Sequence, residues 1–464
     1  MTRLYAILLV LALLAPAASG QPLNSVVEAY VWGDQPTAAS YAPAAAYSYN
    51  ASGGTNTVVR TDVGRYTLTL GGIPDIRNGN RGNVQVSAYG SNAVCMTGGF
   101  GGAPFIIRVI CRAPVTDAFV DSQYTVLFTR SGGTSPLTAY AFANRPESES
   151  PYAPNAVASH NAGGGSILAG QVSSAFRITF PGFAPPSAID VSGIVLLTGG
   201  GTTATGGSAR CGLIAYSTRT DGTLVVDNQC NGVDGAPLIA RHSVLFLKGE
   251  TADGGPAFGY THANDRTAAS YTPPANRTFS QNGGAVTAER VSQGRYRVTF
   301  AGLGGSGTFG GSVQVTPFAQ IGGYCTVNGW VTNGPDAVVR IHCWDTTGQP
   351  FDLEYTVLFT WPDNVVNAVS AETGPNDAAL ALALAGPNPT ASRTAVAVTL
   401  AEAGIARVAV TDLLGREVAV LADGPLAAGT TRLDLDASAL PAGVYVARVV
   451  TGGLARTLRF TVAR

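Results

Sequence analysis

Hydrophobic and polar residues alternate with a two-residue period at three related places in the chain. In GRYTLTL (Gly64 to Leu70), Tyr66, Leu68 and Leu70 fall on one side and Arg65, Thr67 and Thr69 on the other. GRYRVTF (Gly294 to Phe300) repeats the pattern through Tyr296, Val298 and Phe300, and SAFRITF (Ser174 to Phe180) through Phe176, Ile178 and Phe180. Successive side chains of a strand point to opposite faces, so each stretch predicts a β-strand with one buried and one wetter face.

Other markers recur in order around these strands. TAASYAP (Thr37 to Pro43) returns as TAASYTP (Thr267 to Pro273), NVQV (Asn83 to Val86) as SVQV (Ser312 to Val315), and YTVLFT (Tyr124 to Thr129) letter for letter at Tyr355 to Thr360. A divergent middle copy carries SPYAP (Ser150 to Pro154), SGIVLL (Ser192 to Leu197) and HSVLFL (His242 to Leu247). The period of about 115 residues is that of tandem domains, longer than a solenoid repeat. It places repeats at 25–131, 136–249 and 255–362. In the first, strands are expected at Val26 to Trp32, Ala46 to Tyr49, Thr57 to Arg60, Arg65 to Leu70, Asn83 to Tyr89, Val94 to Met96, Phe105 to Arg112 and Gln123 to Thr129. Many short strands between Gly, Pro, Asn and Asp clusters indicate an all-β chain: three tandem antiparallel β-sandwich or jelly-roll-like repeats. A repeat of this size can bury a core of its own, which favours beads on a string.

Six cysteines follow the repeat: Cys95 and Cys111, Cys211 and Cys230, Cys325 and Cys343. A self-contained repeat pairs its own two, giving one disulfide per copy in an exported chain. The competing metal reading lacks a C-x-x-C or a nearby histidine pair. Export is expected from the start of the chain. Arg3 precedes an apolar run, Leu4 to Leu14, too short to span a bilayer, and Ala18-Ser19-Gly20 offers a signal-peptide cleavage point between Gly20 and Gln21. No later stretch is long and apolar enough for a membrane helix. The 28 Lys plus Arg nearly balance 29 Asp plus Glu, and Lys248 is the only lysine, so charge gives no reason to expect nucleic acid.

After a linker at 363–377, residues 378–464 form a smaller, Ig-like sandwich by the same strand arithmetic. Pro387-Asn388-Pro389 fixes a turn. AVAVTL (Ala395 to Leu400) and ARVAVTD (Ala406 to Asp412) alternate as strands, and LLGREV (Leu413 to Val418) centres a turn on Gly415, followed by Arg416 and Glu417. LPAGVYVARV then carries Gly443 and Tyr445 before the terminal strand TLRFTV. This ordered series resembles the C-terminal sorting domain of type IX secretion substrates, type A. The resemblance implies recognition by an outer-membrane translocon, removal by a sortase-like peptidase, and delivery to the outer surface of a Gram-negative bacterium or its surroundings. The upstream repeats resemble those of uncharacterised bacterial secreted proteins.

Candidate chemistry is sparse. His160, His242, His262 and His342 do not repeat, and His242 stands where the other copies have Tyr124 and Tyr355, which suits a strand residue better than a base. No nucleophile elbow, zincin helix or phosphate loop occurs, and Gly199 to Gly207 lacks a strand-loop-helix context. Glu147 and Glu149 lie in a Pro-bounded loop of one repeat only. Trp32, Tyr41, Tyr47 and Tyr49, with Tyr260, Tyr271 and Phe279, beside Asp34, Asn264 and Asp265, either stack on sugars or fill the sandwich, and filling is the simpler role. The expected function is therefore a non-enzymatic surface or extracellular binding, adhesion or structural module for a glycan or other surface ligand, with no catalytic residue, metal or cofactor. A secreted hydrolase acting on polysaccharide is the alternative.

Overall fold

The computed structural model describes residues 27–75, 82–130, 138–173, 175–183, 192–203, 207–249, 257–304, 310–318, 322–332, 334–361, 380–386, 390–412, 416–451 and 454–463. Residues 1–26, including Gly20 and Gln21, the whole 363–377 linker, and Pro387, Asn388, Pro389 and Gly415 lie outside the described residues. Among those described the chain is nearly all β, with single 3-10 turns at Ala45–Tyr47, Ala156–Ala158 and Ala275–Arg277. None of its helices is long and apolar enough to cross a membrane. It divides into two compact units, Met1–Asn367 and Ala368–Arg464.

In the larger unit the three alternating strands behave as their sequences predict. Tyr66, Leu68 and Leu70 are buried, as are Phe176, Ile178 and Phe180, and Tyr296, Val298 and Phe300, with the intervening residues wetter. Each repeat has two sheets. In the first repeat one sheet runs in the order Ser40–Tyr41, Asn56–Asp62, Arg65–Leu70, Phe105–Arg112 and Val94–Gly101. The other runs in the order Asn83–Tyr89, Gln123–Thr129, Val27–Gly33 and Ser48–Asn50. A Tyr-, Leu- and Phe-rich core lies between them, and each of the other repeats has its counterpart. All three expected disulfide pairs are present, Cys95–Cys111, Cys211–Cys230 and Cys325–Cys343, each joining directly opposed residues of neighbouring strands. Each bridge closes a loop worth about 3 kcal/mol by chain entropy.

The beads-on-a-string expectation does not hold, because the sheets do not stop at the repeat boundaries. The first sheet of repeat one continues into the second sheet of repeat two, where Thr97 pairs with Gly200 in parallel. Repeat two continues into repeat three at Leu213 and Phe318, and repeat three returns to repeat one at Val327 and Tyr89. Contacts of this head-to-tail kind form a ring when the rotation closes, and three copies close it here. The second sheets face the middle of the ring and are buried on both faces. NVQVSAY, QYTVLFT and EYTVLFTW are accordingly buried almost without interruption. Val27, Tyr30 and Leu127 of repeat one, Tyr140, Ile194, Leu196, Leu245 and Leu247 of repeat two, and Phe258, Tyr260 and Leu358 of repeat three share one core.

A ring of hydrogen bonds between repeats runs beside that core. Val86 N–H donates to Thr198 Oγ1 at 2.9 Å, Leu197 N–H to Thr316 Oγ1 at 2.8 Å, and Val315 N–H to Ser87 Oγ at 3.0 Å. Ser87, Thr198 and Thr316 occupy the same position of their repeats, opposite Thr125, Ser243 and Thr356 respectively. Thr125 Oγ1 donates to Val313 O and Thr356 Oγ1 to Val195 O, each at 2.7 Å, while Ser243 Oγ is buried without a partner. The residues that precede the first cysteine of each pair, Val94, Arg210 and Tyr324, also meet across the seams. The Arg210 guanidinium lies over the Tyr324 ring and donates to Pro114 O of repeat one and Thr346 O of repeat three.

The smaller unit is a two-sheet sandwich. One sheet has the order Leu380–Leu384, Arg393–Leu400 and Gly429–Asp436; the other has the order Glu417–Leu426, Gly404–Asp412, Gly443–Thr451 and Leu454–Val462. Val396, Val398, Val408, Val410, Tyr445, Val449 and Phe460 contribute to its core. Leu380–Leu384 is the first strand of this unit, and it pairs with Arg393–Leu400.

Two outcomes are expected from the ring. Thr198→Val keeps the shape but removes the acceptor for Val86 N–H and the donor to Gln85 Oε1. Stranding these buried groups is expected to cost about 2–4 kcal/mol in urea unfolding. Repeat one alone, residues 27–130, exposes Tyr30, Leu127 and its half of the hydrogen-bond ring. It is expected to show no cooperative thermal transition under oxidising conditions, whereas a chain ending at Asn367 unfolds in one.

Candidate functional site

The place where the three repeats differ most in chemistry is the outer end of the first sheet. In repeat one, Arg60 pairs across the hairpin with Tyr66, and Asp121 caps both. Asp121 Oδ1 accepts from Arg60 Nε at 2.9 Å, Gly64 N at 2.9 Å and Tyr66 Oη at 3.1 Å, and its Oδ2 accepts from the guanidinium at 2.8 Å. Repeat three builds the same arrangement from Arg290, Asp352, Gly294 and Tyr296. The guanidinium is the leading influence that holds the Asp121 carboxyl below the ordinary range, and the same donors outweigh desolvation at Asp352. Each tyrosine oxygen also accepts a backbone N–H, from Ser122 or Leu353, which pins the incoming strand. Tyr124 and Tyr355 pack against these tyrosines with ring centroids 4.9 and 5.2 Å apart.

Repeat two replaces every member. Gln171 pairs with Phe176 where the other copies pair arginine with tyrosine. Ile239 takes the aspartate position, two residues beyond Pro237, which bridges to Asn231 as Pro350 does to Trp344. His242 takes the place of Tyr124 and Tyr355. The hairpin is also tighter: four residues lie between Gln171 and Phe176, against five between Arg60 and Tyr66, and the bulge of the other copies is missing. Without the ion pair and the bulge, a cavity of about 290 Å³ is left, lined by Pro146, Gln171, Phe176, Leu238, Ile239 and His242 among others. Ile239 is 51% exposed beside it.

His242 is 1% exposed, with its ring edge-on to Phe176 at 4.9 Å. Its Nδ1 lies 2.9 Å from Ala240 O, and Nε2 has no partner. A carbonyl only accepts, so Nδ1 carries the proton and Nε2 is a bare acceptor. Burial lowers its pKa to about 4. The sulfurs of Cys211 and Cys230 lie within 4.8 Å of a ring nitrogen of His242. They are bonded to each other, so neither sulfur is a thiolate and the trio is not a metal site while the bridge is closed. The equivalent tyrosine hydroxyls of Tyr124 and Tyr355 are also buried without partners, so what sets His242 apart is the cavity it lines.

The other sequence candidates are structural. Trp32 and Tyr47 pack with Tyr89 and Trp330 across the seam of repeats one and three, with centroids 4.9 to 6.0 Å apart. Tyr49 stacks on Tyr30, Phe279 on Tyr260, and the Tyr41 and Tyr271 hydroxyls accept from Gln35 N and Asp265 N. His262 stacks on Phe318 at the seam of repeats two and three, 3.5 Å from Glu354. His160 and His342 lie against Tyr140 and Trp344, and Glu147 and Glu149 are exposed. Of the tail motif, Arg416 precedes the Glu417–Leu426 strand, Gly443 opens the next strand but one, and Tyr445 is buried with its hydroxyl donating to Pro441 O. Glu417 holds Arg407 by a two-point ion pair.

The small unit defines an exported cargo: residues 386–463 match the family described as the secretion system C-terminal sorting domain. The chain accordingly interacts with the type IX secretion system and is destined for the cell surface or the extracellular space. No curated protein matches the chain. Among solved structures it is 12% identical to PorZ of Porphyromonas gingivalis, described as an essential bacterial surface component of the type-IX secretion system. That alignment covers 65% of this chain and 38% of the PorZ chain at a TM-score of 0.13, so the chain spans well under half of PorZ.

The His242 environment sets a pH dependence. The unfolded chain takes up the His242 proton at about pH 6.5, the folded chain only near pH 4. Stability from the neutral ring is therefore complete above about pH 6.5 and lost as pH falls towards 4, by about 3 kcal/mol. His160 and His342 shift in the same direction, so the measurement is the difference from His242→Phe. The urea midpoint of the wild type should fall relative to that of His242→Phe between pH 7 and pH 4; parallel curves would contradict it.

Proposed function

We propose that this chain is a non-enzymatic binding protein delivered to the outer surface or the medium, with its ligand site in the second repeat. The observation that carries this reading is the loss, in one repeat of three, of the Arg–Asp–Tyr arrangement, with a cavity in its place. A change confined to packing would be refilled by larger side chains. Here Gln171, Ile239 and Phe176 stand where the sister repeats carry Arg, Asp and Tyr. In this reading repetition serves to build the ring and leaves one site per chain.

In this reading the outer-membrane translocon recognises the tail, a sortase-like peptidase removes it, and the ring is the delivered part. A glycan of the surface or surroundings is the natural class of target. Deleting Ala378 to Arg464 is expected to hold the protein in the periplasm while the ring still folds, since the ring and tail have separate cores. Fractionation of a host with the type IX system reads the outcome. Wild-type levels of the truncated protein in the medium would remove the export argument. Retention of glycans by the purified ring on an array tests binding, and hydrolysis of an arrayed glycan would favour an enzyme instead.

A further inference from the structure

The outer face of the first sheet of repeat three carries more positive charge than it balances. Arg295, Arg297 and Thr299 alternate outward along Arg295–Phe300, as do Val338, Arg340, His342 and Trp344 along Ala337–Trp344. Strand register sets Arg297 directly opposite Arg340, and Arg295 opposite His342. Like charges placed opposite each other in a sheet are destabilising. Among the described residues one carboxylate, Glu289, answers these three arginines, and it meets Arg297 alone, through Nη1 at 3.1 Å. Arg297 keeps 42% of its side chain exposed, and Arg295 and Arg340 are exposed. Burial and the nearby Arg295 hold the His342 pKa below its ordinary value, so at neutral pH it adds a polar group and no charge. The sister repeats settle the same positions. Repeat two sets Asp227 against Arg177 in a two-point pair. In repeat one Thr67 stands opposite Arg108, while Arg65 and Arg112 close on the Phe119 ring from 4.0 Å each.

We propose that this face binds an acidic polysaccharide, with Arg295, Arg297 and Arg340 donating to the carboxylates of its uronic acid units. The surface goes beyond the cavity of repeat two and shares no residue with its lining. A guanidinium is the complement of a carboxylate, because its planar fork matches the two oxygens. Glu289 already seats a carboxylate on Arg297 through one nitrogen, which leaves the rest of that fork for the ligand. One exposed contact of this kind adds little on its own. A polymer with a carboxylate on successive sugars multiplies it through effective concentration. The arginines are spaced for such a polymer, with Cβ atoms about 5 Å apart across the strands and about 7 Å apart along one. A nucleic acid requires a broader positive field, which a chain of net charge -1 does not supply.

The test uses the full exported chain and four probes: polygalacturonate, its methyl ester as the same backbone without charge, dextran sulfate, and single-stranded oligothymidylate. Titration calorimetry and affinity electrophoresis are read on the wild type and on three variants. These are Arg295→Gln with Arg340→Gln, Arg340→Asp, which sets against Arg297 the residue type that repeat two uses, and Arg108→Gln in repeat one. The wild type is expected to bind polygalacturonate at low salt and its methyl ester at least about tenfold more weakly. Binding should disappear at about 1 M salt, where charges are screened beyond about 3 Å. The double glutamine variant should lose about tenfold in affinity, the sum of two exposed contacts. Arg340→Asp should abolish binding while its urea midpoint holds or rises, a combination that misfolding does not produce. Arg108→Gln removes the same charge from a sister repeat and should leave binding unchanged. Equal binding of the methyl ester overturns the proposal, as does undiminished binding by the double variant, or no binding of polygalacturonate. Equal losses from Arg108→Gln and from the double variant would mean attraction by net charge and overturn it too. Tighter binding of dextran sulfate would make the ligand group a sulfate, and tighter binding of the oligonucleotide would make the partner a nucleic acid; either overturns the uronate assignment.

Discussion

Three buried hydrogen bonds govern the architecture: a backbone N–H of each repeat donates to a hydroxyl of the next, at Thr198, Thr316 and Ser87. An N–H on a strand buried on both faces has no water to turn to, and leaving it unpaired costs about 1–3 kcal/mol. Two repeats would satisfy some of these groups and strand the rest. Only the third repeat returns the chain to its start and completes the set, which makes the closed ring the smallest arrangement without orphaned donors at this position. The shared core of Tyr30, Tyr140 and Tyr260 with their leucines adds apolar burial that no isolated repeat has.

The ring is not a perfect threefold object, and its departures are informative. Gln85 and Gln314 accept from the Thr198 and Ser87 hydroxyls, but the matching residue of repeat two is Leu196, so Thr316 Oγ1 turns to the Leu197 carbonyl. Ser243 lacks the bond that Thr125 and Thr356 make. Arg210 ties all three repeats, where its counterparts are Val94 and Tyr324. Repeat two is thus the divergent partner at the axis as well as at the cavity. Three identical chains could not differ in this way, because every change would appear three times.

Local structure was legible in the sequence where one face of a strand is wet. RYTLTL and RYRVTF announced both their strands and their buried side chains through strict alternation, and the cysteine pairing followed from the repeat. Ring closure was less legible, because two-residue periodicity reports that a face is buried without saying by what. The signal was present in YTVLFT, which does not alternate: its unbroken burial is the mark of a strand covered on both sides, and a single sandwich covers only one. The cavity was half visible. His242 stood out against Tyr124 and Tyr355, but its meaning depended on Gln171, Ile239 and Phe176, which converge only through strand register and a hairpin shorter by one residue.

The same register explains how repeat two tolerates its missing ion pair. On the outer face of its first sheet, Arg177 and Asp227 lie directly opposite and form a two-point pair at 2.7 and 2.8 Å. Thr67 and Arg108 occupy the matching places in repeat one, and Arg297 and Arg340 in repeat three. Repeat three therefore sets two arginines against each other on this face, and Arg297 leans back to Glu289. The pair is half-buried to the same degree as the Arg–Asp pairs of the sister repeats and is worth about 1 kcal/mol, so it roughly offsets the lost contact. It does so about one strand away from the cavity and leaves the cavity mouth uncharged. Each repeat thus keeps one Arg–Asp pair on an arginine of its first sheet, and in repeat two alone that pair lies across two strands of the sheet and away from the place that Arg60 and Arg290 occupy in the sister repeats.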